Sequence, residues 1–366
     1  MIIEKIETFI TEMVGFVRIT TGTGDFGWGQ VPTYNADITS LILYRQVAPH
    51  ALGNDVSNAL ALITHITEFE HKFPGSYLRR ALAGLDTAIW DLQSRPRELP
   101  VCALIGGTPG PVRAYASSMK RDIKPEQEAS RMLELADTKG FDAFKIRVGS
   151  ECGHDRDEWP DRTETMIKVM SRAFGGQSAL LADANSCYSP ERAINIGKML
   201  EDGQFCHFEE PCPYWEFEQT RKVREALDID VMGGEQECKL PRWRHMIDEH
   251  VVDIVQPDIC YAGGLDRTLE VAKMAAGKGL PCTPHSANLS MVTLFTMHLL
   301  RAIPNAGNYL ELSIEGEDYY PWQQDLFTEN PYQVGDGHVT VANAPGWGMD
   351  INPEWLNQAA YCISSA

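Results

Sequence analysis

The N-terminal part of the chain carries two different patterns of apolar positions. Apolar and polar side chains alternate over residues 16–21, and a glycine-rich stretch at 22–27 precedes a second apolar run, which predicts an antiparallel sheet. Further along, apolar residues recur at every third or fourth position, which predicts an amphipathic helix: Leu78, Leu82, Leu85, Ile89 and Leu92. Glycines and prolines at 106–111 interrupt this pattern. We therefore predict a small α+β domain over residues 1–112.

From residue 113 the pattern changes to short apolar runs that alternate with longer amphipathic stretches. The runs predict strands at 112–117, 143–147, 179–183, 205–209, 231–235, 252–256, 281–284 and 308–311. Helical periodicity between them is typical of β-α units, and this number of strands favours a closed α/β barrel, the (β/α)8 or TIM-like fold, over residues 113–329. The glycine pairs at Gly233 and Gly263 lack the spacing of a dinucleotide-binding loop. The irregular segment 330–366 is predicted to return to the first domain and complete it.

Composition narrows the possible partners. The 366 residues are 43% hydrophobic and 23% charged, as in globular proteins. No run of about 18 apolar residues occurs, and charges begin at Glu4, so we expect no membrane partner, no signal peptide and a cytoplasmic location. A formal net charge of −19 argues against a nucleic-acid partner. An anionic substrate would then need a bound cation, or local lysine and arginine side chains, in its pocket.

The cysteines leave one alternative metal site to consider. Nine cysteines without a Cys-x-x-Cys pair predict reduced thiols. The segment 206–212 contains two cysteines, a histidine and two glutamates, which could be interpreted as a zinc site. In a strand, however, alternate residues point to opposite faces, and the spacing matches no common zinc pattern, so buried thiols are the preferred interpretation.

An ionisable residue lies at the end of almost every predicted barrel strand. Successive members are 23 to 38 residues apart, about one β-α unit each: Lys145, Asp183, Glu209, Glu235, Asp258, His285 and Glu311. The carboxyl ends of barrel strands carry the functional groups of this fold. We therefore expect these side chains to converge at one mouth of the barrel.

Three of these residues, Asp183, Glu209 and Glu235, come from successive strands. Carboxylates that converge without a cation repel one another, and a hard ion such as Mg²⁺ removes that repulsion while leaving positions free for substrate oxygens. The alternative is that each carboxylate pairs separately with a lysine or arginine. Their joint occurrence favours a metal site.

The remaining strand ends predict proton chemistry. Lys145 and Arg147 lie two positions apart on one strand, so both side chains face the barrel mouth. Asp258 and His285 end adjacent strands, where a carboxylate can fix the imidazole tautomer and raise its basicity. A single buried histidine is more often structural, but beside a metal site we interpret His285 as a general base.

These residues and several motifs resemble the enolase superfamily, in particular its mandelate racemase-like subgroup. The motifs are Gly-Trp-Gly-Gln at 27–30, Leu-Asp-Thr-Ala-Ile-Trp-Asp-Leu at 85–92, Leu-Ile-Gly-Gly at 104–107, Val-Gln-Pro-Asp at 255–258, Pro-His-Ser at 284–286 and Pro-Gly-Trp-Gly-Met at 345–349. The resemblance covers nearly the whole chain. It implies an N-terminal capping domain on the barrel, a homo-oligomer, and a small carboxylate substrate such as a sugar acid.

The resemblance also implies a role for each strand-end residue. Asp183, Glu209 and Glu235 match the Mg²⁺ ligands, and Lys145 matches the first lysine of a Lys-x-Lys pair that helps to hold the substrate carboxylate. His285 and Asp258 match a catalytic dyad. Glu311 matches a position near the substrate carboxylate, and Asn185 would flank the metal. The superfamily removes the proton next to a carboxylate and passes through a metal-stabilised enediolate.

Arg147 departs from this pattern, because it replaces the second lysine of the pair. Guanidinium stays protonated and cannot act as the second base of a racemase. The sequence therefore favours a single-base dehydratase of an aldonate or aldarate, in which His285 removes the α-proton, the β-hydroxyl leaves, and Arg147 binds a substrate carboxylate or hydroxyl. A racemase, epimerase or cycloisomerase that uses the same enediolate is the alternative. A barrel that only binds an anion and a metal is a third hypothesis.

A second departure concerns the loop that usually caps the substrate in this subgroup. Only a few residues separate the first two predicted strands, so this loop is very short. Tyr34 and the aromatic segment 319–322 are the candidates for a replacement lid, with ordinary packing between the domains as the alternative.

Overall fold

The computed structural model describes residues 1–366, and its N-terminal part is an antiparallel sheet packed on helices. The sheet contains β1 (Ile3–Ile10), β2 (Gly15–Thr21) and β3 (Phe26–Val31). The helices are α1 (Ala36–Ile42), α2 (Ala48–Ala51), α3 (Ala59–Phe69), α4 (Ser76–Ser94) and α5 (Val101–Leu104), with a π-helical segment at Leu43–Val47 and a 3-10 turn at Arg95–Arg97. None of the chain's helices combines the length and the apolar character that a membrane crossing requires.

The second part is a parallel barrel surrounded by helices. Its strands are β4 (Gly110–Ser117), β5 (Ala143–Arg147), β6 (Ala179–Asp183), β7 (His207–Glu209), β8 (Asp230–Gly233), β9 (Ile254–Val255) and β10 (Leu310–Ser313). The helices are α6 (Pro125–Lys139), α7 (Arg162–Phe174), α8 (Pro190–Asp202), α9 (Phe217–Ala226), α10 (Leu240–Asp248), α11 (Ile259–Ala262), α12 (Leu265–Ala276) and α13 (Met291–Leu300). The predicted fold class, an α/β barrel with an α+β capping domain, is confirmed.

One of the eight barrel strands is very short. β10 pairs in parallel with β4, while between β9 and β10 the backbone is joined only by single bridges at Cys282, to Val255 and to Ala306. The predicted strand 281–284 is thus reduced to one bridging residue. Two prolines in this stretch, Pro281 and Pro284, cannot donate ladder hydrogen bonds, which explains the difference.

The C-terminal segment contacts both domains. A 3-10 turn at Pro321–Gln323 follows β10, and β11 (His338–Val341) then pairs antiparallel with β4. After α14 (Pro353–Gln358), strand β12 (Ala360–Ser365) pairs antiparallel with β1 and forms the edge of the N-terminal sheet. The last strand of the chain therefore belongs to the capping sheet.

Buried polar contacts between the domains explain several of the motifs. Asp91 accepts hydrogen bonds from the backbone N–H of Trp28 (2.8 Å) and of Trp347 (3.0 Å), and from Arg95 Nε (2.6 Å). His298 Nδ1 accepts from the Cys102 N–H at 3.0 Å, and its Nε2 contacts the Trp347 carbonyl oxygen at 3.3 Å. We call Asp91, His298 and Trp347 the interdomain cluster.

A helix end and a glycine form a further contact between the domains. Asp86 of α4 accepts a hydrogen bond from the Leu265 N–H (2.5 Å) at the first turn of α12, where a carboxylate is favoured by the helix dipole. Gly264, immediately before it, has φ +112°, and a Cβ there would collide with Asp86. The capping domain is thereby placed over the carboxyl ends of the barrel strands.

Candidate active site

The parallel register brings the strand-end residues together at one mouth. Arg147 is the register partner of Asp183, and Asp183 is the register partner of Glu209. All seven predicted strand-end residues and Arg147 are buried, with between 0% and 7% of each residue exposed. Charged groups so deep in a protein require partners, and the structure supplies them mainly from one another.

Lys145 is the central cation of this group. Its Nζ lies 2.8 Å from Glu209, 2.5 Å from Glu311 and 3.5 Å from Asp183. Burial alone would lower the pKa of Lys145, but the carboxylates of Glu209 and Glu311 outweigh burial and hold the pKa well above its usual value. Lys145 is therefore a fixed positive charge that can attract a substrate carboxylate.

Glu311 is held from several sides. Ser117 Oγ lies 2.8 Å from its Oε1, and the Ser286 N–H donates to its Oε2 at 3.1 Å. Burial would raise the pKa of Glu311, but Lys145 and then His285 reverse this effect and hold it far below normal. Glu311 remains an anion beside Lys145.

His285 and Asp258 form the predicted dyad. His285 Nδ1 lies 2.8 Å from Asp258 Oδ2, while Asp258 Oδ1 accepts from the backbone N–H groups of Cys260 and Tyr261. The aspartate is thus fixed at the start of α11, and it fixes the imidazole in turn. This leaves Nε2 directed at Glu235, 3.2 Å away, and towards Glu311 at 4.0 Å.

The charges around His285 favour its protonated form. Burial would lower the pKa of His285, but Glu235, Asp258 and Glu311 together raise it to about 10. Imidazole acts as a base only when it is neutral. A cation that binds these carboxylates would therefore favour the basic form of His285.

The Arg147 guanidinium contacts neighbouring protein groups. Its Nη1 contacts Asp183 and donates to Asn185 Oδ1 at 2.9 Å, and its Nε donates to the Ser118 carbonyl oxygen at 3.0 Å. Asn185 has a left-handed backbone, φ +40°, and its N–H donates to Asp183 Oδ1 at 2.8 Å. Arg147 and Asn185 thus hold the Asp183 carboxylate in position, a contact that the sequence did not indicate.

Two further buried polar residues follow barrel strands and were missed from the sequence. Glu210 follows Glu209, and strand alternation would direct it away, but its φ of +40° breaks the alternation and it is buried. Burial, followed by Glu235 and Glu209, raises the pKa of Glu210 well above normal. Gln256 is also buried at a strand end, and neither of its amide atoms has a partner. Its place beside Asp258 in the Val-Gln-Pro-Asp motif was the available signal.

The charge balance provides a test of whether a metal ion suits this site. No three His, Cys, Asp or Glu side chains lie at metal-ligand spacing, and each predicted ligand contacts a cationic side chain instead. Nevertheless, without Glu210, whose raised pKa favours the neutral acid, the buried carboxylates still outnumber the buried cations by five to three: Asp183, Glu209, Glu235, Asp258 and Glu311 against Lys145, Arg147 and His285. Glu209 Oε1 is also buried without any partner. Oxygen donors with excess negative charge fit a hard divalent cation.

The candidate lid residues meet above the mouth. The ring of Tyr34, from the capping domain, packs at 6.1 Å from that of Trp322, and Tyr319 OH donates to the Met119 carbonyl oxygen at 3.2 Å. Tyr34 and Tyr319 remain 45% and 40% exposed. By contrast, a cavity of about 120 Å³ at the opposite end of the barrel, lined by Tyr115 and His207 among others, contains none of the predicted site residues.

Fold and site together define an enzyme of the enolase type. Residues 4–106 match the mandelate racemase / muconate lactonizing enzyme N-terminal domain, and residues 127–355 match the enolase C-terminal domain-like family. The chain belongs to the mandelate racemase and muconate lactonizing enzyme family of the enolase superfamily, as its motifs predicted.

Characterised relatives have more than one activity. Arabinonate dehydratase of Saccharolobus solfataricus is 25% identical over 343 residues, which are 91% of this chain and 87% of that protein. D-galactarolactone cycloisomerase of Agrobacterium fabrum is 30% identical over 287 residues, 76% of this chain and 73% of that protein. Sugar-acid dehydratases recur among the relatives, which supports a lyase that acts on a small molecule.

Solved structures agree on the fold. A protein of Roseobacter denitrificans that has been suggested to be a racemase is 62% identical, with a TM-score of 0.99 over 100% of both chains. A mandelate racemase/muconate lactonizing protein of Paracoccus denitrificans PD1222, complexed with magnesium, is 26% identical, with a TM-score of 0.90 over 99% of this chain and 98% of that one.

Proposed function

We propose that this protein is a Mg²⁺-dependent dehydratase of a sugar acid. The observation that carries the proposal is the asymmetry of the mouth. One side has a complete His285–Asp258 dyad, and Arg147 occupies the position where a second base would be needed. One base suffices for elimination, whereas racemisation by two bases requires one on each face of the intermediate.

The excess of buried negative charge supports a divalent cation held by Asp183, Glu209 and Glu235. When bound, Mg²⁺ supplies a Lewis acid that lowers the cost of forming the enediolate. Arg147 and Asn185 hold the Asp183 carboxylate in position. We therefore assign Arg147 a positioning role, rather than the direct substrate contact that the sequence favoured.

The chain's own residues perform the proton chemistry. Lys145 binds the substrate carboxylate, and Nε2 of His285 removes the proton from the neighbouring carbon, with the resulting imidazolium stabilised by Asp258. The electron pair of the enediolate then expels the β-hydroxyl, which takes the proton from His285 and leaves as water. The enol that remains tautomerises to a 2-keto-3-deoxy acid.

An isomerase is the second candidate, and the relatives supply the observation that favours it. The relative with 30% identity is a cycloisomerase, and the structure with 62% identity has been suggested to be a racemase. Both reactions pass through an enediolate and need His285. An isomerisation differs from dehydration because no water is lost, and a racemisation, which returns the proton to the same carbon, also forms no keto acid.

A screen of sugar acids separates the two candidates. Wild-type protein and His285→Asn would be incubated with aldonates and aldarates in Mg²⁺, and keto acid detected with semicarbazide. Keto acid from one or a few substrates, absent with the variant, is the expected result. No keto acid, with His285-dependent uptake of solvent deuterium into recovered substrate, would reject dehydration in favour of isomerisation.

A further inference from the structure

An arginine outside the predicted site lies at the mouth without an acidic partner. Arg121 follows β4, and its contacts come from the loops after the next two strands. Its Nε donates to the Gly149 carbonyl oxygen at 3.0 Å and its Nη2 to Asn185 Oδ1 at 2.7 Å. Asn185 Oδ1 also accepts from Arg147, which contacts Asp183. Arg121 is therefore linked to a proposed metal ligand through two neighbouring side chains.

The charge of Arg121 is not compensated by the protein. Its two hydrogen bonds go to neutral oxygens, no carboxylate lies within salt-bridge distance, and its Nη1 has no protein partner. Burial, followed by the guanidinium groups of Arg147 and Arg162, lowers the pKa of Arg121 to about 10, a direction that a facing carboxylate would reverse. Other arginines of the chain, such as Arg267, also lack an acidic partner, so what distinguishes Arg121 is its place beside Asn185 at the mouth.

The geometry points to Arg121 as the binding group for a second carboxylate of the substrate, so that the enzyme acts on aldarates, which are diacids, in preference to aldonates. This inference rests on the proposed function and specifies its substrate class. Guanidinium binds carboxylates through parallel N–H donors on two of its nitrogens, and in Arg121 the hydrogens of Nη1 and the second hydrogen of Nη2 are unused. The substrate would lie with its reacting end at Lys145 and His285 and its distal carboxylate at Arg121.

The test compares substrates that differ only at the distal carbon: galactarate with galactonate, and glucarate with gluconate. For Arg121→Gln we expect kcat/KM for the diacid to fall roughly 30- to 100-fold, as for loss of hydrogen bonds to a charged group, with a change of only a few fold for the monoacid. The matched control is Arg156→Gln, because Arg156 lies on a neighbouring loop with a 69% exposed side chain paired to Glu151. It should change neither value.

A binding measurement separates this inference from the proposed reaction. In the His285→Asn background, calorimetry with Mg²⁺ gives the dissociation constants of the same acids without turnover. Tighter binding of a diacid than of its monoacid, lost on adding Arg121→Gln, supports the inference even if no dehydration is found. Equal losses for both acids, or a wild-type preference for monoacids, would assign Arg121 to loop structure and overturn it.

Discussion

Two buried histidines illustrate how different the mouth of the barrel is from the rest of the interior. His298, in the interdomain cluster, is 1% exposed, and burial lowers its pKa to about 4. His285, at the mouth, is 6% exposed, yet its carboxylate neighbours raise its pKa to about 10. The hydrogen bonds of His298 involve only the backbone of Cys102 and Trp347. Burial alone therefore makes a neutral structural histidine, and only a concentration of acidic groups reverses its effect.

The carboxylates of the two regions differ in the same way. Asp91 has three donors, two of them backbone N–H groups, and both of its oxygens are used. Glu209 and Glu210 each retain a buried oxygen without a partner. A buried polar atom without a partner is costly, so its persistence at the mouth is consistent with a ligand-binding role, whereas Asp91 serves the fold.

The largest expected effect is the difference in activity between two variants, in which each histidine is replaced by an amide residue. We expect His285→Asn to lower kcat by about 10²- to 10⁴-fold, because the proton acceptor is lost while the side chain stays polar. His298→Gln is the matched control, since glutamine can accept from the Cys102 N–H and donate to Trp347. Steady-state assays with the substrate from the screen would measure both. Comparable activity of the two variants would contradict the assignment of His285.

Removing Asp91 should affect stability rather than chemistry. Asp91→Ala leaves two buried backbone N–H groups and Arg95 without their acceptor, so we expect the free energy of unfolding to fall by about 3 kcal/mol. Urea unfolding followed by tryptophan fluorescence would measure the change, with exposed Asp137→Ala on α6 as the control. An Asp91→Ala protein as stable as the control would show that the cluster does not hold the domains together.

The pH dependence of stability provides a further test. Below its usual pKa of 6.5, His298 takes up a proton in the unfolded chain, but in the folded chain only near pH 4. Wild-type stability should therefore fall as the pH is lowered through this window, by up to roughly 3 kcal/mol from this group. His298→Gln lacks this contribution, so the difference in unfolding free energy between wild type and variant should shift in favour of the variant between pH 7 and pH 4.5. Parallel stability curves would contradict the assignment.

Much of this architecture could be predicted because the barrel repeats a simple rule. Apolar strands at regular spacing, almost all ending in an ionisable residue, predicted both the barrel and the group of residues at its mouth. The shortened strand position at Cys282 was not predictable from apolar pattern, since it depends on prolines that remove backbone donors.

The finer contacts of the site depend on backbone turns that no periodicity encodes. Left-handed conformations at Asn185 and Glu210 redirect the residues just beyond two strand ends. The alternation of side chains along a strand therefore gave the wrong direction for the Glu210 side chain. The contact of Arg147 with Asp183 and the link through Asn185 to Arg121 follow from the same turns, so the sequence could predict which residues converge but not how they pair.

Manganese binding would show whether the mouth of the barrel holds a divalent cation, because Mn²⁺ accepts the same oxygen ligands as Mg²⁺ and is visible by electron paramagnetic resonance. We expect one Mn²⁺ per wild-type chain, displaced by Mg²⁺, with affinity at least tenfold weaker in Glu209→Gln and unchanged in His298→Gln. Absence of stoichiometric binding to the wild type, or equal binding by Glu209→Gln, would contradict the assignment of the mouth as a divalent cation site.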